Sequence, residues 1–483
     1  MILKVWLIIE VLFALTCLLN GEKSLPIPEQ VHIALAEDID AMTVQWVTIE
    51  STPNTSFVKY GKDPNALDRF KVANTTIFEY DGMIRFMHSA VMTKLEPATT
   101  YCKLIQITEV GSKEALSRVF NFRTLPFGID VSYRVCVFGD LGVDNGVSLV
   151  YLQREAERHQ FDLIIHVGDI AYDLHTNNGS VGDTFMRNME PIISSIPYMV
   201  IAGNHEDDGK NFSHYKYRFQ MPNCPFNDNQ VYSFDLGPVH FVGVSTEYHG
   251  FFNKYGQQQV FNQHKWLEED LKNAHANRAQ RPFIVVYQHR PFYCSNTNSF
   301  ECGSFENTLI RTGFEEMPGL EQLFMQYGVD LGFFGHEHSY ERFYPISDRT
   351  VYNLTADPYN NAAAPTYVIT GSAGCHSPHA SFNEQSPVPG SAMRSTDYGY
   401  SIMHVLNRTS LFIEQISVEA GVQQIDSFWL RKDLGHAPTS KFSRSKRGVP
   451  FPPIVEPQTC NIRDPRCQVK RSRRMNAFKQ TAN

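Results

Sequence analysis

Tryptophan and long apolar segments are scarce in this sequence of 483 residues. Only 4 tryptophans occur beside 34 phenylalanines and 22 tyrosines, a distribution that favours β-rich packing. After residue 21, no segment has the about 18 apolar residues that a membrane-spanning helix needs. The C-terminus is basic, so we expect neither a stop-transfer helix nor a lipid-anchor tail there. With 42% hydrophobic and 19% charged residues, the composition is typical of a globular chain of two or three domains.

Positive charge is also scarce, except near the C-terminus. The net charge is −8 at pH 7, but residues 440–483 contain 11 Lys and Arg against 2 acidic residues. The rest of the chain therefore carries −17. A protein body this acidic does not attract polyanions, so we expect no nucleic-acid partner.

The first 21 residues are typical of a cleaved secretory signal peptide. Lys4 precedes an apolar run from Val5 to Leu19, and polar sequence begins at Glu22. A single membrane anchor is the alternative, but a helix of this length spans only about 22 Å, less than the hydrocarbon core of a bilayer. We therefore expect a secreted or lysosomal protein without stable membrane insertion.

Secretion also predicts N-glycosylation and disulfide bonds. Six sequons are present, at Asn54, Asn74, Asn178, Asn211, Asn353 and Asn407. Eight cysteines remain after the signal peptide, and some of them should pair in an oxidising compartment. The short spacings favour the pairs Cys294/Cys302 and Cys460/Cys467. Cys136 lies in an apolar strand, where a buried free thiol is an equal alternative to a disulfide.

Two patterns of strands divide the chain. From residue 22 to 126, short strands such as Met42–Val47 and Arg118–Phe122 are separated by turn signals, which is typical of a small β-sandwich. From 127 to 437, continuous apolar strands alternate with helical stretches, which predicts a layered α/β domain. Later strands, including those within 397–432, follow one another too closely for helical crossovers, so we expect mixed sheets. Residues 438–483 form a basic tail, in which Arg444–Arg447 is either a processing site or a solvated segment.

Polar side chains follow five of the predicted buried strands. The strands and the side chains after them are Arg134–Phe138 with Asp140, Leu163–Val167 with Asp169 and Tyr172, Tyr198–Ile201 with Asn204 and His205, Phe283–Tyr287 with His289 and Arg290, and Leu331–Phe334 with His336 and His338. Ligands of α/β sheets bind at the carboxyl ends of the strands. We therefore expect these five strand ends to converge on one crevice.

Each strand end alone has an ordinary structural explanation. A Gly-Asp pair after a strand is most often a turn or a helix cap. Seven oxygen and nitrogen donors at successive strand ends, with no thiolate among them, instead suit two hard or borderline metal ions. Two ions about 3.5–4 Å apart can bind both the attacking and the leaving oxygen of a phosphoryl transfer. The pattern therefore predicts a binuclear metal site.

The five blocks, in this order, resemble the purple acid phosphatases within the calcineurin-like metallophosphoesterases. The resemblance extends over the N-terminal region from Pro28 and the segment from Asp397 to Leu430, and Tyr172 separates this family from its colourless relatives. It implies the long animal form, with an N-terminal fibronectin-III-like β-sandwich and a layered αββα metallophosphoesterase domain with mixed sheets. It also implies hydrolysis of phosphate monoesters, in small molecules or phosphoproteins, by direct attack of a metal-bound hydroxide.

The resemblance also implies a role for each donor. Fe(III) would bind Asp140, Asp169, Tyr172 and His338, and a divalent zinc, iron or manganese ion would bind Asp169, Asn204, His289 and His336. Asp169 would bridge the two ions. Tyrosine titrates at about pH 10, so binding as phenolate requires a strongly Lewis-acidic ion, which favours Fe(III). Phenolate-to-iron charge transfer should then colour the protein.

His205 is the candidate catalytic residue. By the resemblance, it contacts the phosphate and helps to protonate the leaving group. Many relatives carry further histidines several residues after the position of His289, and this chain has none there. Arg290 and His376 are candidate substrate contacts, with packing for Arg290 and an ordinary surface position for His376 as the alternatives. His166, inside a predicted strand, should be a core histidine.

Three other functions are compatible with the sequence. The same metal site could serve a phosphodiesterase or nucleotide pyrophosphatase. The sandwich and its glycans could form an adhesion module with a vestigial metal domain, although all seven donors are present. An iron centre could also generate reactive oxygen species.

Overall fold

The computed structural model describes residues 27–49, 55–108, 114–297, 305–375, 379–382, 390–439 and 446–450. The strands, in chain order, are β1 Glu29–Leu35, β2 Met42–Ile49, β3 Thr55–Gly61, β4 Arg69–Val72, β5 Asn74–Tyr80, β6 Met83–Met92, β7 Thr100–Thr108, β8 Glu114–Leu116, β9 Phe120–Arg123, β10 Tyr133–Phe138, β11 Leu163–Val167, β12 Tyr198–Ile201, β13 Val231–Leu236, β14 Val239–Val244, β15 Phe283–Gln288, β16 Gly313–Phe314, β17 Met317–Pro318, β18 Leu331–Phe334, β19 Tyr340–Phe343, β20 Ile346–Ser347, β21 Thr350–Val351, β22 Thr366–Thr370, β23 Ser391–Ser395, β24 Gly399–Asn407, β25 Ser410–Ser417, β26 Gln423–Arg431 and β27 Val449–Pro450. The helices are α1 Leu149–Glu157, α2 Ser180–Ile193, α3 Ser213–Arg218, α4 Glu247–Gly250, α5 Phe252–Tyr255, α6 Gln258–Ala276, α7 Phe305–Thr312 and α8 Glu321–Tyr327, with a 3-10 turn at Asn204–Glu206. Among the helices described here, none is long and apolar enough to cross a membrane.

Some of the predictions fall outside the described residues. They are the signal peptide 1–21, the tail residues 440–445 (which include the first half of Arg444–Arg447) and 451–483, the sequon Asn54, His376, and the cysteines Cys302, Cys460 and Cys467. The disulfide pairings therefore stay predictions, and Cys102, Cys136 and Cys224 are free thiols. Part of the predicted tail is ordered, since β27 pairs with β21.

The N-terminal strands form the predicted β-sandwich. One sheet has the order β1-β2-β6-β5 and the other β4-β3-β7-β8, with β9 also paired to β7. Their facing side chains, such as Val44, Trp46 and Ile105, are fully or almost fully buried. The prediction of a strand over Arg118–Phe122 is wrong in its first half. Ser117 still bonds to Ile105 of β7, and the chain leaves the sheet before β9 begins at Phe120.

Most of the described residues after the sandwich form four layers. A six-stranded sheet, β12-β11-β10-β24-β25-β26, faces a seven-stranded sheet, β13-β14-β15-β18-β22-β19-β23. Side chains from both sheets, such as Val137 and Phe241, share one buried core, which also includes Leu152 of α1 and Met189 of α2. On the outer side of the seven-stranded sheet, side chains of α6 and α8 cover the strands. This arrangement confirms the predicted αββα layers.

Both sheets are mixed, as predicted. Strands β10, β11 and β12 are parallel, as are β14, β15, β18 and β22, and antiparallel strands complete each sheet. The two sheets meet at the ends of these strands, where the backbone N–H of Gly139 after β10 donates to the carbonyl of Thr370 in β22 at 2.9 Å. The loops that follow the five strands therefore emerge at one edge of the domain.

The continuous apolar runs located the central strands closely. Strands β11, β12 and β18 have the predicted bounds, and β10 and β15 are each one residue longer. As expected, His166 of β11 is fully buried in the core, where its Nδ1 lies 2.6 Å from the hydroxyl of Tyr198. Burial lowers the pKa of this imidazole to about 3.

Candidate metal centre

Four of the seven predicted donors lie on left-handed backbone. The φ angles are 59° at Asp140, 49° at Asp169, 53° at Tyr172 and 69° at His336. Non-glycine residues seldom adopt positive φ, and they are concentrated at functional sites, where surrounding structure enforces the conformation. The backbone conformation of these four donors is therefore enforced by the surrounding structure, as is typical of a functional site.

Two glycines allow the strand ends to approach the donor side chains. A Cβ atom on Gly168, whose φ is +90°, would lie 2.4 Å from Nδ1 of His289. A Cβ atom on Gly203 would lie 2.3 Å from Oδ1 of Asp169. Cβ atoms are essentially never found within 3.0 Å of such neighbours, so the donors can pack this closely only against glycine backbone.

Asp140, Tyr172 and His338 form a first cluster of donor atoms. The hydroxyl of Tyr172 lies 2.7 Å from Nε2 of His338 and 3.4 Å from Oδ1 of Asp140. Nε2 of His338 is also 3.4 Å from Oδ1 of Asp140. One carboxylate, one phenol and one imidazole thus converge from the ends of three different strands.

Asp169, Asn204, His289 and His336 form a second cluster. Nε2 of His289 lies 3.3 Å from Oδ1 of Asp169, 3.1 Å from Oδ1 of Asn204 and 3.2 Å from Nδ1 of His336. Nδ1 of His289 is 2.8 Å from the carbonyl of Val167, a geometry that holds the proton on Nδ1 and directs the Nε2 lone pair into the cluster. The donor atoms of Asp169, His289 and His336 all lie within 4.8 Å of one another, close enough to share one ion.

The two clusters concentrate buried negative charge. Asp140 and Asp169 are 0% and 2% exposed, and no lysine or arginine of the described segments pairs with either carboxylate. Burial alone would lower the pKa of His289, but Asp169 opposes it and raises the pKa to about 10. At His338 the effect of burial is likewise overcome by Asp140, and the pKa rises to about 10. Buried carboxylates of this kind require a cation, so the residues fit a bound metal.

His205 lies at the edge of the clusters with a fixed ring orientation. Its backbone N–H donates to Oδ1 of Asp169 at 3.0 Å, and its Nδ1 is 3.1 Å from the carboxylate of Asp173. The side chain is 33% exposed, and its Nε2 lies 4.0 Å from Oδ2 of Asp169, on the side of the second cluster. Burial would lower the pKa of His205, but the hydrogen bond to Asp173 raises it to about 9.

Arg290 lies beside the second cluster but is tied to another residue. It is buried, and its Nε donates to both carboxylate oxygens of Glu247, at 3.0 and 3.1 Å. Its Nη1 lies 3.4 Å from Nε2 of His336. The guanidinium is therefore held in place next to a predicted metal ligand.

Sequence reasoning missed Glu206, which connects two of the strand ends. This buried carboxylate accepts hydrogen bonds from the backbone N–H groups of Asp169, Ile170 and Gly203 at 2.9, 2.9 and 2.8 Å. The only signal in the sequence was an acidic residue directly after Asn204 and His205. Its partners after β11 are more than thirty positions away, so no local pattern could have identified them.

Three family models match the chain. One described as Calcineurin-like phosphoesterase matches residues 133–340. One described as Purple acid Phosphatase, N-terminal domain, matches 28–124. One described as Iron/zinc purple acid phosphatase-like protein C matches 364–427. Together they cover most of the chain and include all seven predicted donors.

Named relatives agree with these matches. The chain is 41% identical over 416 residues to acid phosphatase type 7 of Homo sapiens, covering 84% of this chain and 91% of the relative. It is 29% identical over 425 residues to a purple acid phosphatase of Glycine max, covering 83% and 85%. The fold matches that of a purple acid phosphatase from yellow lupin seeds with a TM-score of 0.70 and 22% identity, covering 84% of this chain and 75% of that one. These findings confirm the resemblance found in the five sequence blocks, and the chain belongs to the purple acid phosphatase family.

Proposed function

We propose that the protein hydrolyses phosphate monoesters at the two donor clusters. The observation that carries the proposal is the convergence of seven oxygen and nitrogen donors at the ends of parallel strands, with the ring of His205 directly beside them. Family membership supports a phosphatase acting on phosphorylated substrates. The half-exposed position of His205 leaves one side of the site open for a small phosphorylated molecule or a phosphorylated protein segment.

We assign the predicted ligands to two metal ions, in a family whose members use binuclear centres. The phenol of Tyr172 suits Fe(III) in the first cluster, together with Asp140 and His338. The neutral amide of Asn204 and the imidazoles of His289 and His336 suit a divalent zinc, iron or manganese ion in the second. Asp169, whose carboxylate lies in the second cluster, would bridge the ions. When bound, the ions supply Lewis acidity that activates water and neutralises charge on the phosphate.

The side chains around the clusters would bind and orient the substrate. Asp173 fixes the ring of His205, so that Nε2 can donate a hydrogen bond to the phosphate and a proton to the leaving oxygen. Arg290 presents Nη1 near His336, where it would orient that ligand or meet a phosphate oxygen. His376, which lies outside the described residues, stays a candidate substrate contact.

We further propose that the protein works outside the cytosol, in the secreted or lysosomal space. Of the predicted sequons, Asn74, Asn178, Asn211 and Asn407 are exposed and accessible to glycosylation. A mass decrease of the secreted chain after treatment with an N-glycosidase would support this localisation, and a chain without glycans would contradict it.

We also propose a domain boundary at about residue 126, between β9 of the sandwich and β10 of the layered domain.

The proposed activity is tested with two model esters. We expect the purified protein to hydrolyse p-nitrophenyl phosphate much faster than bis(p-nitrophenyl) phosphate at acidic pH. Asp169→Ala should abolish both metal binding and turnover, because it removes a ligand of both ions. Asp144→Ala, which changes an exposed carboxylate on the loop after β10, is the matched control and should behave as the wild type. Preference for the diester would favour a phosphodiesterase, and turnover by Asp169→Ala would refute the site.

A further inference from the structure

The sandwich and the layered domain share a buried ion cluster. Arg85 of β6 and Asp183 of α2 are 1% and 5% exposed, and Nη2 of Arg85 lies 2.7 Å from Oδ2 of Asp183. Arg218 of α3 pairs with the same carboxylate at 2.9 Å. Buried charges are tolerated only when they are paired and hydrogen-bonded, so this cluster fixes the position of β6 against α2 and α3.

The ion cluster also holds the loop that leads from the first donor cluster to α2. Besides its bond to Asp183, Nη2 of Arg85 donates to the carbonyl of Asn178 at 2.8 Å. Nη2 of Arg218 donates to the carbonyl of Gly179 at 2.9 Å. This loop begins at Asp173, the residue that holds Nδ1 of His205.

A second contact reaches the loop on the other side of His205. The hydroxyl of Tyr80, at the end of β5, donates to the backbone carbonyl of Asp208 at 3.2 Å. Its ring packs on His214 of α3 with centroids 4.3 Å apart, and Phe78 stacks on Tyr217 at 4.8 Å. Asp208 is only three residues beyond His205, so the β5–β6 hairpin contacts both chain segments that carry the pair His205 and Asp173.

We propose that the β5–β6 hairpin of the sandwich is a brace that positions His205 for proton transfer, with Arg85 and Tyr80 as positioning residues. The inference rests on the proposed function, in which His205 protonates the leaving group. Neither side chain touches the donors. Each acts through a loop, Arg85 on the segment from Asp173 to Gly179 and Tyr80 on the segment after the turn Asn204–Glu206.

The brace matters because proton transfer depends on small distances. The 3.1 Å contact between His205 and Asp173 joins two loops that have separate attachments to the hairpin. Loosening either loop would change the direction of Nε2, while the metal donors at the strand ends would stay in place. Misplacement of a reacting group by about 1 Å can reduce a rate by up to about a hundredfold.

Substrates with different leaving groups separate this role from a structural one. Release of p-nitrophenolate requires little protonation, whereas release from phenyl phosphate requires a proton donor. For Arg85→Gln and Tyr80→Phe we expect kcat on phenyl phosphate to fall about tenfold, and kcat on p-nitrophenyl phosphate to fall less than about threefold. Tyr80→Phe removes a single hydrogen bond, so it tests the inference even if Arg85→Gln does not fold.

The matched control is Arg187→Gln. Arg187 of α2 also pairs with the sandwich, through Glu29 at 2.7 Å, but it is 46% exposed. Within the described residues, its hydrogen bonds go to Glu29 and not to either loop. The ratio of its rates on the two esters should equal that of the wild type.

Hydrogen exchange adds a readout independent of turnover. We expect faster exchange in residues 173–179 for Arg85→Gln and in 207–211 for Tyr80→Phe, and unchanged exchange for the control.

The outcomes separate the brace from the proposed function. Faster loop exchange together with a selective loss on phenyl phosphate supports the brace. Unchanged exchange, or equal losses on both esters, overturns it while the phosphatase activity stands. A folded, metal-loaded wild type without turnover of either ester overturns the proposed function, and the positioning role with it.

Discussion

Replacement of Glu206 by glutamine should loosen two strand ends at once. The carboxylate is 1% exposed and accepts three backbone hydrogen bonds, two on Oε2 from Asp169 and Gly203 and one on Oε1 from Ile170. A glutamine can keep at most the pair on one oxygen. Its amide NH₂ then faces the remaining backbone N–H, so that both donors lack an acceptor.

The cost follows from that count. An unsatisfied buried donor costs about 1–3 kcal/mol, and Glu206→Gln creates two, so we expect a loss of about 2–6 kcal/mol in the free energy of unfolding. Because the affected backbone carries Asp169 and Asn204, we also expect metal affinity to fall about ten- to hundredfold.

Thermal unfolding and metal content per chain measure both effects. The control is Glu269→Gln, which removes an equal charge from a side chain that is 63% exposed. Among the described residues, Glu269 pairs with Lys272 alone, at 3.4 Å. It should change neither quantity. If Glu206→Gln kept two ions per chain and unfolded within about 1 °C of the wild type, the account of these strand ends would be refuted.

Two further predictions concern stability and the metal site. Burial would lower the pKa of His240, but Asp235 and Asp270 raise it to about 9, well above the ordinary value of 6.5. The stability gained from its charge is therefore present below about pH 6.5 and lost as the pH rises through 9. His240→Gln should thus reduce the free energy of unfolding by about 1–3 kcal/mol at pH 6 and by little at pH 10, as denaturant titrations at the two values would show, and a constant difference would contradict this. Gly168→Ala should displace His289, because the alanine Cβ would lie 2.4 Å from Nδ1 of His289, on backbone with a φ of +90°. Metal analysis should then show loss of the divalent ion. A variant that still binds the divalent ion in full would contradict the close approach.

The strand ends were predictable because two signals coincide there. Each central strand is a continuous apolar run, which marks a strand buried on both faces. Polar side chains follow each of the five strands, after a glycine at four of them. Because the carboxyl ends of parallel strands lie at one edge of an α/β sheet, the sequence was enough to predict that those side chains lie close together. The hairpin of β13 and β14 escaped prediction, although it completes the seven-stranded sheet. The prediction at Arg118 failed because alternation continues through a stretch that leaves the sheet.

Residues that act through distant backbone could not be predicted. Arg85 and Asp183 are 98 positions apart, and from the sequence alone each would be interpreted as an ordinary charged surface residue. Glu206 and Asp173 are adjacent in sequence to predicted site residues, yet their roles depend on which loop they meet in the fold. His88 carried no readable signal and proves to be buried between Thr48 and Thr75, at 2.9 Å from each hydroxyl.

We propose that the phenol of Tyr172 and six other donors hold two ions, one of them Fe(III). The most direct test is metal analysis of the purified, active protein together with its visible absorption spectrum. We expect two ions per chain, at least one of them iron, and an absorption band that disappears in Tyr172→Phe. Active protein that is colourless and free of iron would contradict it.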